Sequence, residues 1–219
     1  MYKCLVLDHD DTVVNSTATI HFPCFLEYLE LTRPGAEKNY TLESYLEKNF
    51  YPGVEALFLE ELSMTEAEFE AEQAYWSEYV KKHIPEAYAG IKEIISDFKS
   101  RGGIVAVVSH SYEAYIKRDY EKNSLPEPDI IYGWDLPREK RKPSPFAIED
   151  LCKRYGLSPG EILVVDDLKP GCDMAKAAGA DFAAAGWGYE VPVMEKLMRS
   201  SCDFYLKTVD ELRQLLENS

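Results

Sequence analysis

Positive charge is scarce in this sequence: 24 lysines and arginines stand against 39 aspartates and glutamates, which gives a formal net charge of −15. A surface this acidic argues against nucleic acid or an anionic membrane as a partner. It also provides no general attraction for an anionic small molecule. A site for such a molecule must therefore be built locally from a few residues.

The sequence also lacks a hydrophobic run long enough to span a membrane, a signal-peptide pattern at its start and any low-complexity stretch. Its cysteines are odd in number and widely separated, without a Cys-x-x-Cys pair. They are Cys4, Cys24, Cys152, Cys172 and Cys202. This pattern is typical of reduced, buried thiols. We therefore expect a cytoplasmic protein.

What the sequence does have is enough apolar residues for a core, since 46% of its 219 residues are hydrophobic and 12% are aromatic. A chain of this length forms one large domain or two small ones. Apolar residues recur at helical spacing through residues 16–88, with no convincing strand. Elsewhere, short apolar runs alternate with helical patterns. This alternation predicts an α/β fold with a parallel sheet and right-handed crossovers.

The predicted domains follow from this change of period. Residues 1–15 and 89–219 form the α/β core, and residues 16–88 are a separate, all-helical insertion. Strands are predicted at residues 4–7, 104–108, 129–132, 161–165, 181–185 and 204–206, and a short helix at residues 174–178. Within the insertion, Thr65 followed by Glu68 predicts a capping box at the start of a helix that ends at Lys82.

The first predicted strand ends in three carboxylates, Asp8, Asp10 and Asp11. Its continuous apolar run fits a strand buried on both faces, and open parallel sheets bind ligands outside the carboxyl ends of their strands. Two crowded carboxylates repel each other unless a cation lies between them. Because Mg²⁺ prefers hard oxygen ligands, this strand end predicts a magnesium site.

Polar groups near the ends of other predicted strands suit the same chemistry. Ser109 follows the second strand, and Lys142 precedes a helix within the segment KPSP. Asp166 and Asp167 follow a later strand. In a parallel sheet these ends lie on one edge and can converge. Carboxylates, a hydroxyl, a lysine and Mg²⁺ suit phosphoryl transfer, in which the cations neutralise the phosphate and a carboxylate attacks it.

Four motifs in this order resemble those of the haloacid dehalogenase-like (HAD) hydrolase superfamily: DxDxT, an apolar strand ending in serine, KPxP, and an apolar strand ending in DD. The resemblance covers essentially the whole chain and implies a Rossmann-like core. The helical insertion resembles the C1-type cap domain of the phosphoglycolate phosphatase and β-phosphoglucomutase branch. The segment Gly186-Trp187-Gly188-Tyr189 resembles a loop common in phosphatase members of that branch.

The resemblance implies catalytic and metal-binding roles. Asp8 is the expected nucleophile, which forms an aspartyl-phosphate intermediate, and Asp10 is expected to protonate the leaving oxygen and then to deprotonate the hydrolytic water. Asp8, the backbone carbonyl of Asp10, and Asp167 are the expected Mg²⁺ ligands. Asp166 would assist through a metal-bound water or from behind the ligands.

The resemblance also implies a set of substrate-binding residues. Thr12 would brace the turn after the first strand. Ser109 and the backbone amide of His110 would hold phosphate oxygens. Lys142 would bridge the nucleophile and the phosphate, so that one anion can approach another.

Three positions depart from the pattern most common in the superfamily. His9 stands where a bulky apolar residue is usual, Asp11 where glycine is usual, and Gly171 where many relatives carry a carboxylate. Asp173 comes two residues after Gly171. The sequence therefore leaves open whether Asp166 or Asp173 supports the metal.

The expected activity is that of a Mg²⁺-dependent phosphatase acting on a small phosphate monoester, either phosphoglycolate-like or a sugar phosphate. Asp10 favours a phosphatase, because dehalogenases of this superfamily lack the acid at that position. A β-phosphoglucomutase-like phosphotransferase remains an alternative, and so does a non-catalytic regulatory or binding protein of the superfamily. We expect a small phosphorylated metabolite as the partner, no nucleic acid, no membrane, and a monomer by default with a dimer as the alternative.

Overall fold

The computed structural model describes residues 1–218, which form two compact units. The first unit contains Met1–Asn15, Glu86–Tyr189 and the described part of Glu195–Ser219, and the second contains Ser16–Pro85 and Glu190–Met194. The predicted insertion ends three residues later, at residue 88, and does not include residues 190–194. Within residues 1–218, no helix is both long enough and apolar enough to cross a membrane.

The first unit is built on a sheet of six parallel strands. The strands are β1 (Cys4–Leu7), β2 (Ile104–Val108), β3 (Ile130–Tyr132), β4 (Ile162–Asp166), β5 (Asp181–Ala185) and β6 (Phe204–Leu206). Their order in the sheet is β3-β2-β1-β4-β5-β6, which is the strand order of a Rossmann fold. The predicted α/β fold with a parallel sheet is therefore confirmed.

β1 lies in the middle of the sheet, between β2 and β4. All four of its residues are fully buried, as in strands that are covered on both faces. The chain runs from β1 outward to β3 and then crosses to β4, so the direction of the strand order reverses between β1 and β4. Open α/β sheets bind ligands at such a switch point, outside the carboxyl ends of the strands. The fold therefore directs attention to the ends of β1 and β4.

Helices alternate with these strands in the first unit, and other helices form the second unit. They are α1 (Phe22–Thr32), α2 (Leu42–Phe50), α3 (Val54–Ala56), α4 (Glu66–Lys82), α5 (Ile91–Ser100), α6 (Glu113–Lys122), α7 (Phe146–Tyr155), α8 (Lys169–Ala178), α9 (Pro192–Arg199) and α10 (Val209–Glu217). The apolar residues of α5 recur at helical spacing and pack with β1 and β2 in one buried cluster. This cluster covers one face of the two strands that end just before Asp8 and Ser109.

Two helices differ from the sequence expectation. α8 begins at Lys169, five residues before its predicted start at residue 174. Pro170 lies in the first turn of α8, where its missing N–H breaks no hydrogen bond, so it does not delay the helix. α9 is not predicted from the sequence, although its apolar residues from Val193 to Met198 recur at helical spacing.

The second unit has its own aromatic core. Phe25 lies 4.8 Å from Tyr45 and 5.7 Å from Phe58 between ring centroids, and all three side chains are buried. The predicted capping box is confirmed: the Glu68 N–H donates to Thr65 Oγ1 at 3.3 Å, and the Thr65 N–H donates to Glu68 Oε2 at 2.8 Å. Residues 16–85 contain helices and turns but no β-strand, as the sequence predicts.

Glu72 on α4 is a buried carboxylate, with 3% of its surface exposed. Burial raises the pKa of Glu72 to about 7, although a hydrogen bond from Gln73 and the nearby His21 act in the opposite direction. The folded state therefore binds more protons than the unfolded state between the ordinary pKa and pH 7. Folding stability must fall as the pH rises through this window, because the charged carboxylate is poorly solvated.

We expect Glu72→Gln to raise the free energy of unfolding by roughly 2–3 kcal/mol near pH 8 and to change it little below pH 5. The amide keeps the shape of the side chain but carries no charge to desolvate. Urea unfolding at both pH values measures the difference. Glu70→Gln on the exposed face of the same helix is the matched control and should show no such pH dependence. Equal effects of Glu72→Gln at the two pH values would contradict the prediction.

Candidate active site

Lys142 joins the ends of β1 and β4. Asp8 directly follows β1, and Asp166 is the last residue of β4. The Lys142 ammonium donates to Asp8 Oδ1 at 2.7 Å and to Asp166 Oδ2 at 2.5 Å. The side chains of all three residues are buried. The structure therefore brings together two carboxylates and a lysine that the sequence predicts to converge.

The charges of this cluster are strongly coupled. Burial alone would lower the pKa of Lys142, but the charges of Asp166 and Asp8 outweigh it and raise the pKa above its ordinary value. Burial and the charge of Asp8 raise the pKa of Asp166 to about 7, even though Lys142 acts to lower it. Lys142 stays charged, and it does not by itself neutralise the carboxylates around it.

Asp167 brings a third carboxylate to the cluster. One oxygen from each of Asp8, Asp166 and Asp167 lies within 4.8 Å of the others. Burial and the charges of Asp8 and Asp166 raise the pKa of Asp167 well above its ordinary value. Asp167 Oδ1 is buried and has no hydrogen-bond partner among residues 1–218. Hard oxygen donors, an excess of negative charge and an unpartnered buried oxygen together fit a divalent cation such as Mg²⁺.

Asp173, the other carboxylate that the sequence leaves open, lies on α8 outside this cluster. It forms an exposed ion pair with Lys169. Asp166, by contrast, accepts from Lys142 through Oδ2 and from the Leu168 N–H through Oδ1, the latter at 2.9 Å. Of the two candidates, Asp166 is therefore the one that the structure places beside Asp8.

Gly171 explains how Asp166 occupies its position. A Cβ atom on Gly171 would lie 2.1 Å from Asp166 Oδ2 and 2.3 Å from its Cγ. The carboxyl group of Asp166 therefore fills the space that a side chain at residue 171 would take. The Asp166 carboxyl group thus lies in the space where a carboxylate side chain at residue 171 would begin.

We expect Gly171→Ala to lower catalytic turnover by about tenfold or more, because Asp166 must move and Lys142 loses one of its two partners. The free energy of unfolding should change much less than the activation free energy does. The better helix propensity of alanine, about 1 kcal/mol over glycine, offsets part of the cost of moving Asp166. Steady-state kinetics and urea unfolding test the two halves of this prediction. Gly160→Ala is the matched control, because a Cβ at Gly160 meets no atom within 4 Å. Turnover of Gly171→Ala equal to that of wild type would contradict the prediction.

Asp10 is held by Ser111, a residue that the sequence reasoning does not single out. Ser111 Oγ donates to Asp10 Oδ2 at 2.6 Å. The Ser111 N–H donates to Ser109 Oγ at 3.1 Å. Because this bond uses a lone pair of Ser109, the Ser109 hydroxyl hydrogen can still be donated to a substrate oxygen. Ser111 therefore links the predicted acid and the predicted phosphate-binding serine.

The His110 side chain contacts the backbone of Lys142, and the Thr12 side chain is buried in the protein. His110 Nε2 lies 3.2 Å from the backbone oxygen of Lys142, to which it donates in the Nε2–H tautomer. Partial burial and the charge of Lys142 lower the pKa of His110, which favours the neutral ring. Thr12 is fully buried, and its Oγ1 has no hydrogen-bond partner within the described chain. The predicted phosphate contact of the His110 amide stays a prediction.

His9 stands at a position where an apolar residue is usual. Its side chain is buried and contacts the carboxylate of Asp119. His9 Nε2 lies 3.1 Å from Asp119 Oδ2 on α6, and Arg118 Nε donates to Asp119 Oδ1 at 2.7 Å. Burial on its own would lower the pKa of His9, but the hydrogen bond to Asp119 and the nearby charges of Asp10 and Asp8 outweigh it and raise the pKa. The unusual histidine thus comes with a buried acidic partner.

Asp11 adopts the backbone conformation that explains why glycine is usual at this position. Its φ angle is 55°, in the left-handed region that glycine enters without strain. Aspartate visits this region at a cost of about 1 kcal/mol and is among the few other residues that do so. The turn after β1 therefore keeps its shape despite the substitution.

The sequence predicts no contact with the site residues for three residues of this region: Ser111, Asp119 and Tyr189. Ser111 lies two residues after Ser109 at the same strand end, and this spacing could have indicated its position. Tyr189, whose hydroxyl donates to Asp167 Oδ2 at 2.9 Å, belongs to the segment 186–189 already noted in the sequence. Asp119 gives no signal, because it is one of several charged residues on a polar helix.

Comparison with known proteins identifies the class to which this fold and site belong. The model of the haloacid dehalogenase-like hydrolase family matches residues 5–185. The chain therefore belongs to the haloacid dehalogenase-like hydrolase family, and it is a hydrolase. The family resemblance predicted from the sequence motifs is confirmed.

Among curated relatives, a phosphoglycolate phosphatase of Thiobacillus denitrificans is 25% identical over 195 residues, which covers 85% of this chain and 84% of the relative. A phosphoglycolate phosphatase of Nitrosospira multiformis is 27% identical over 135 residues, which covers 61% of this chain and 58% of that protein. The second match thus spans less than two thirds of the relative.

Solved structures show the same fold. A protein from Haemophilus somnus, described as a predicted phosphoglycolate phosphatase, superposes with a TM-score of 0.78 at 22% identity and covers 98% of both chains. A conserved haloacid dehalogenase-like protein of unknown function from Agrobacterium tumefaciens has a TM-score of 0.78 at 17% identity and covers 100% of this chain and 99% of its own. At these identities the similarity establishes the fold alone.

Proposed function

We propose that this protein is a Mg²⁺-dependent phosphatase that hydrolyses a small phosphate monoester through an aspartyl-phosphate intermediate. The observation that carries the proposal is the buried cluster at the switch point of the sheet. In it, Lys142 bridges Asp8 and Asp166, while Asp167 offers an unpartnered oxygen. The names of the curated relatives support a phosphatase, and phosphoglycolate is the first substrate to test.

In the first half of the reaction, a carboxylate oxygen of Asp8 attacks the phosphorus atom, and the bond from phosphorus to the leaving oxygen breaks. Asp10 donates a proton to that oxygen, so the alcohol leaves uncharged. Ser111 holds Asp10 in place. Lys142, already bound to Asp8, reduces the repulsion between the carboxylate and the phosphate. Ser109 donates its hydroxyl hydrogen to a phosphate oxygen.

In the second half, Asp10 is ionised and accepts a proton from a water molecule. The water oxygen attacks the phosphorus of the aspartyl phosphate, and the bond from phosphorus to Asp8 breaks. Inorganic phosphate leaves, Asp8 is again a carboxylate and Asp10 is again protonated. One alternating acid and base therefore serves both halves of the cycle.

Asp8, the backbone carbonyl of Asp10, and Asp167 would hold Mg²⁺, with Asp166 in support. When bound, the ion supplies the positive charge that offsets the crowded carboxylates and the phosphate. Lys142 is one cation beside three buried carboxyl groups, which is why we include the metal in the proposal.

The remaining expectations from the sequence are part of the same proposal. They comprise a small phosphorylated metabolite as substrate, a cap function for the helical insertion, no nucleic-acid or membrane partner, a monomer with a dimer as the alternative, and a cytoplasmic location. All five cysteines are free thiols in the structure, which supports a reducing compartment.

The test is phosphate release from a panel containing 2-phosphoglycolate, sugar phosphates and p-nitrophenyl phosphate, with Mg²⁺ and with a chelator. Turnover that requires Mg²⁺ is the expected result, and the panel ranks the substrates. If no ester is hydrolysed, isomerisation of β-glucose 1-phosphate tests the β-phosphoglucomutase-like alternative. If neither reaction occurs while Mg²⁺ is bound, the proposal is wrong and the non-catalytic alternative replaces it.

A further inference from the structure

The segment Gly186-Trp187-Gly188-Tyr189, which we call the β5 loop, directly follows β5 and approaches the turn after β1. Trp187 Nε1 donates to the Thr12 backbone oxygen at 3.1 Å. A Cβ on Gly188 would lie only 2.7 Å from the Asp11 backbone oxygen, so the two backbones come closer here than any other residue type would allow. One side of the β5 loop is therefore fixed against the turn that carries Asp10 and Asp11.

The other side of the β5 loop reaches the end of β4. The Tyr189 hydroxyl donates to Asp167 Oδ2 at 2.9 Å and lies 3.2 Å from the Asp167 backbone oxygen. Lys142, the cation of the cluster, contacts Asp8 and Asp166 and has no hydrogen bond to Asp167 within residues 1–218. Among residues 1–218, Tyr189 is thus the side chain that donates a hydrogen bond to the Asp167 carboxylate.

The two oxygens of Asp167 have different surroundings. Oδ2 accepts from Tyr189, whereas Oδ1 is buried without a partner among residues 1–218. One of the two oxygens lies within 4.8 Å of an oxygen of Asp8 and of Asp166. A carboxylate can rotate about its terminal torsion with little preference, so its orientation depends on its hydrogen bonds. A hydroxyl that binds one oxygen fixes the other oxygen in direction and leaves it available for a cation.

We infer that Tyr189 is a positioning residue for the metal: its hydroxyl holds Asp167 Oδ2 so that Oδ1 faces the cation held by Asp8 and Asp167. Through Trp187 and Gly188, the β5 loop sets Tyr189 relative to the turn after β1, and so relates the two strand ends that carry the ligands. The inference rests on the proposed function, because the cation is the Mg²⁺ proposed there.

The test is Mg²⁺ binding by isothermal titration calorimetry, without substrate, for wild type and Tyr189→Phe. Removal of the hydroxyl keeps the ring and frees Asp167 to rotate. We expect the dissociation constant for Mg²⁺ to rise by about tenfold, the lower end of the range for partners of metal ligands. The Mg²⁺ concentration for half-maximal turnover should rise by the same factor, with kcat largely recovered at saturating Mg²⁺. An unchanged dissociation constant would overturn the inference.

Two further variants separate the hydroxyl from the loop as a whole. Tyr205→Phe removes a hydroxyl next to Gly186 at the far end of the β5 loop, and Mg²⁺ binding should stay within about twofold of wild type. Trp187→Phe removes the hydrogen bond to Thr12 but keeps the Tyr189 hydroxyl, so its effect should be smaller than that of Tyr189→Phe. A loss of Mg²⁺ binding in Trp187→Phe without a loss in Tyr189→Phe would assign the effect to loop position and overturn the role of the hydroxyl.

Binding and turnover together distinguish this inference from the proposed function. Wild-type protein that binds Mg²⁺ but hydrolyses no phosphate ester would overturn the phosphatase proposal, while the effect of Tyr189→Phe on binding would still decide the inference. Wild-type protein that does not bind Mg²⁺ would overturn the inference. Urea unfolding of Tyr189→Phe confirms that the comparison is made between folded proteins.

Discussion

Asp8→Asn is expected to reduce phosphate release by roughly 10⁴-fold or more, because removal of the proposed nucleophile in covalent catalysis leaves only the contribution of binding and electrostatics. The amide keeps an oxygen that can accept from Lys142, so the geometry of the cluster should survive. The variant also removes one of the crowded negative charges. Its free energy of unfolding in the presence of a chelator should therefore be equal to or higher than that of wild type.

Steady-state phosphate release and urea unfolding measure the two effects of Asp8→Asn. Asp173→Asn is the control: it removes a carboxylate from the same region of sequence as Asp166, but from the surface of α8, where Asp173 pairs with Lys169. Its turnover should stay within about twofold of wild type. Substantial residual turnover in Asp8→Asn, on a substrate that wild type hydrolyses, would exclude Asp8 as the nucleophile.

Lys142→Met should abolish measurable turnover and lower the free energy of unfolding by about 3–5 kcal/mol near pH 8, because it leaves Asp8 and Asp166 buried without their cation. The loss of stability should be smaller near pH 5. There the folded variant can bind a proton at Asp166, whose pKa is already raised in the wild type. The stability of the variant should therefore fall more steeply with rising pH than that of wild type.

Urea unfolding at the two pH values, with a chelator present, tests this dependence. Lys153→Met provides the matched control, since it removes an exposed lysine from α7, the helix that follows Lys142. That change should alter the free energy of unfolding by no more than about 0.5 kcal/mol at either pH. Addition of Mg²⁺ should restore part of the stability of Lys142→Met, because the cation replaces the missing positive charge. A pH-independent loss would show that packing, and not charge, is the main contribution of Lys142.

The sheet and the convergence of Asp8, Lys142 and Asp166 could be predicted because each depends on a strong local signal. An apolar run that ends in a carboxylate defines a buried strand and its carboxyl end, and a parallel sheet brings such ends to one edge. The N-terminal strand at residues 4–7 and the strand at 104–108 agree with the structure to the residue. The strand predicted at residues 161–165 is found one residue later.

The partners of these residues could not be predicted, because they are fixed by tertiary packing. Nothing in the local sequence distinguishes Asp119 from other charged residues of α6, yet it is the one that reaches His9. The place of Asp166 depends on the space above Gly171, a property of a helix packed against a strand end. Tyr189 is readable as part of a motif, but its contact with Asp167 requires the loop geometry.

The central position of β1 has a consequence for the synthesis of the chain. This strand leaves the ribosome before the other five strands of the sheet, but its neighbours in the sheet are residues 104–108 and 162–166. At roughly 5–20 residues per second, translation reaches the second neighbour only after about 10–30 s. During that interval the apolar run Cys4–Leu7 has at least one unpaired edge, which makes the nascent chain a candidate for chaperone binding. The strand that leads to Asp8 is thus made before the other strands of the sheet, and it gains its second neighbour only when residues 162–166 are made.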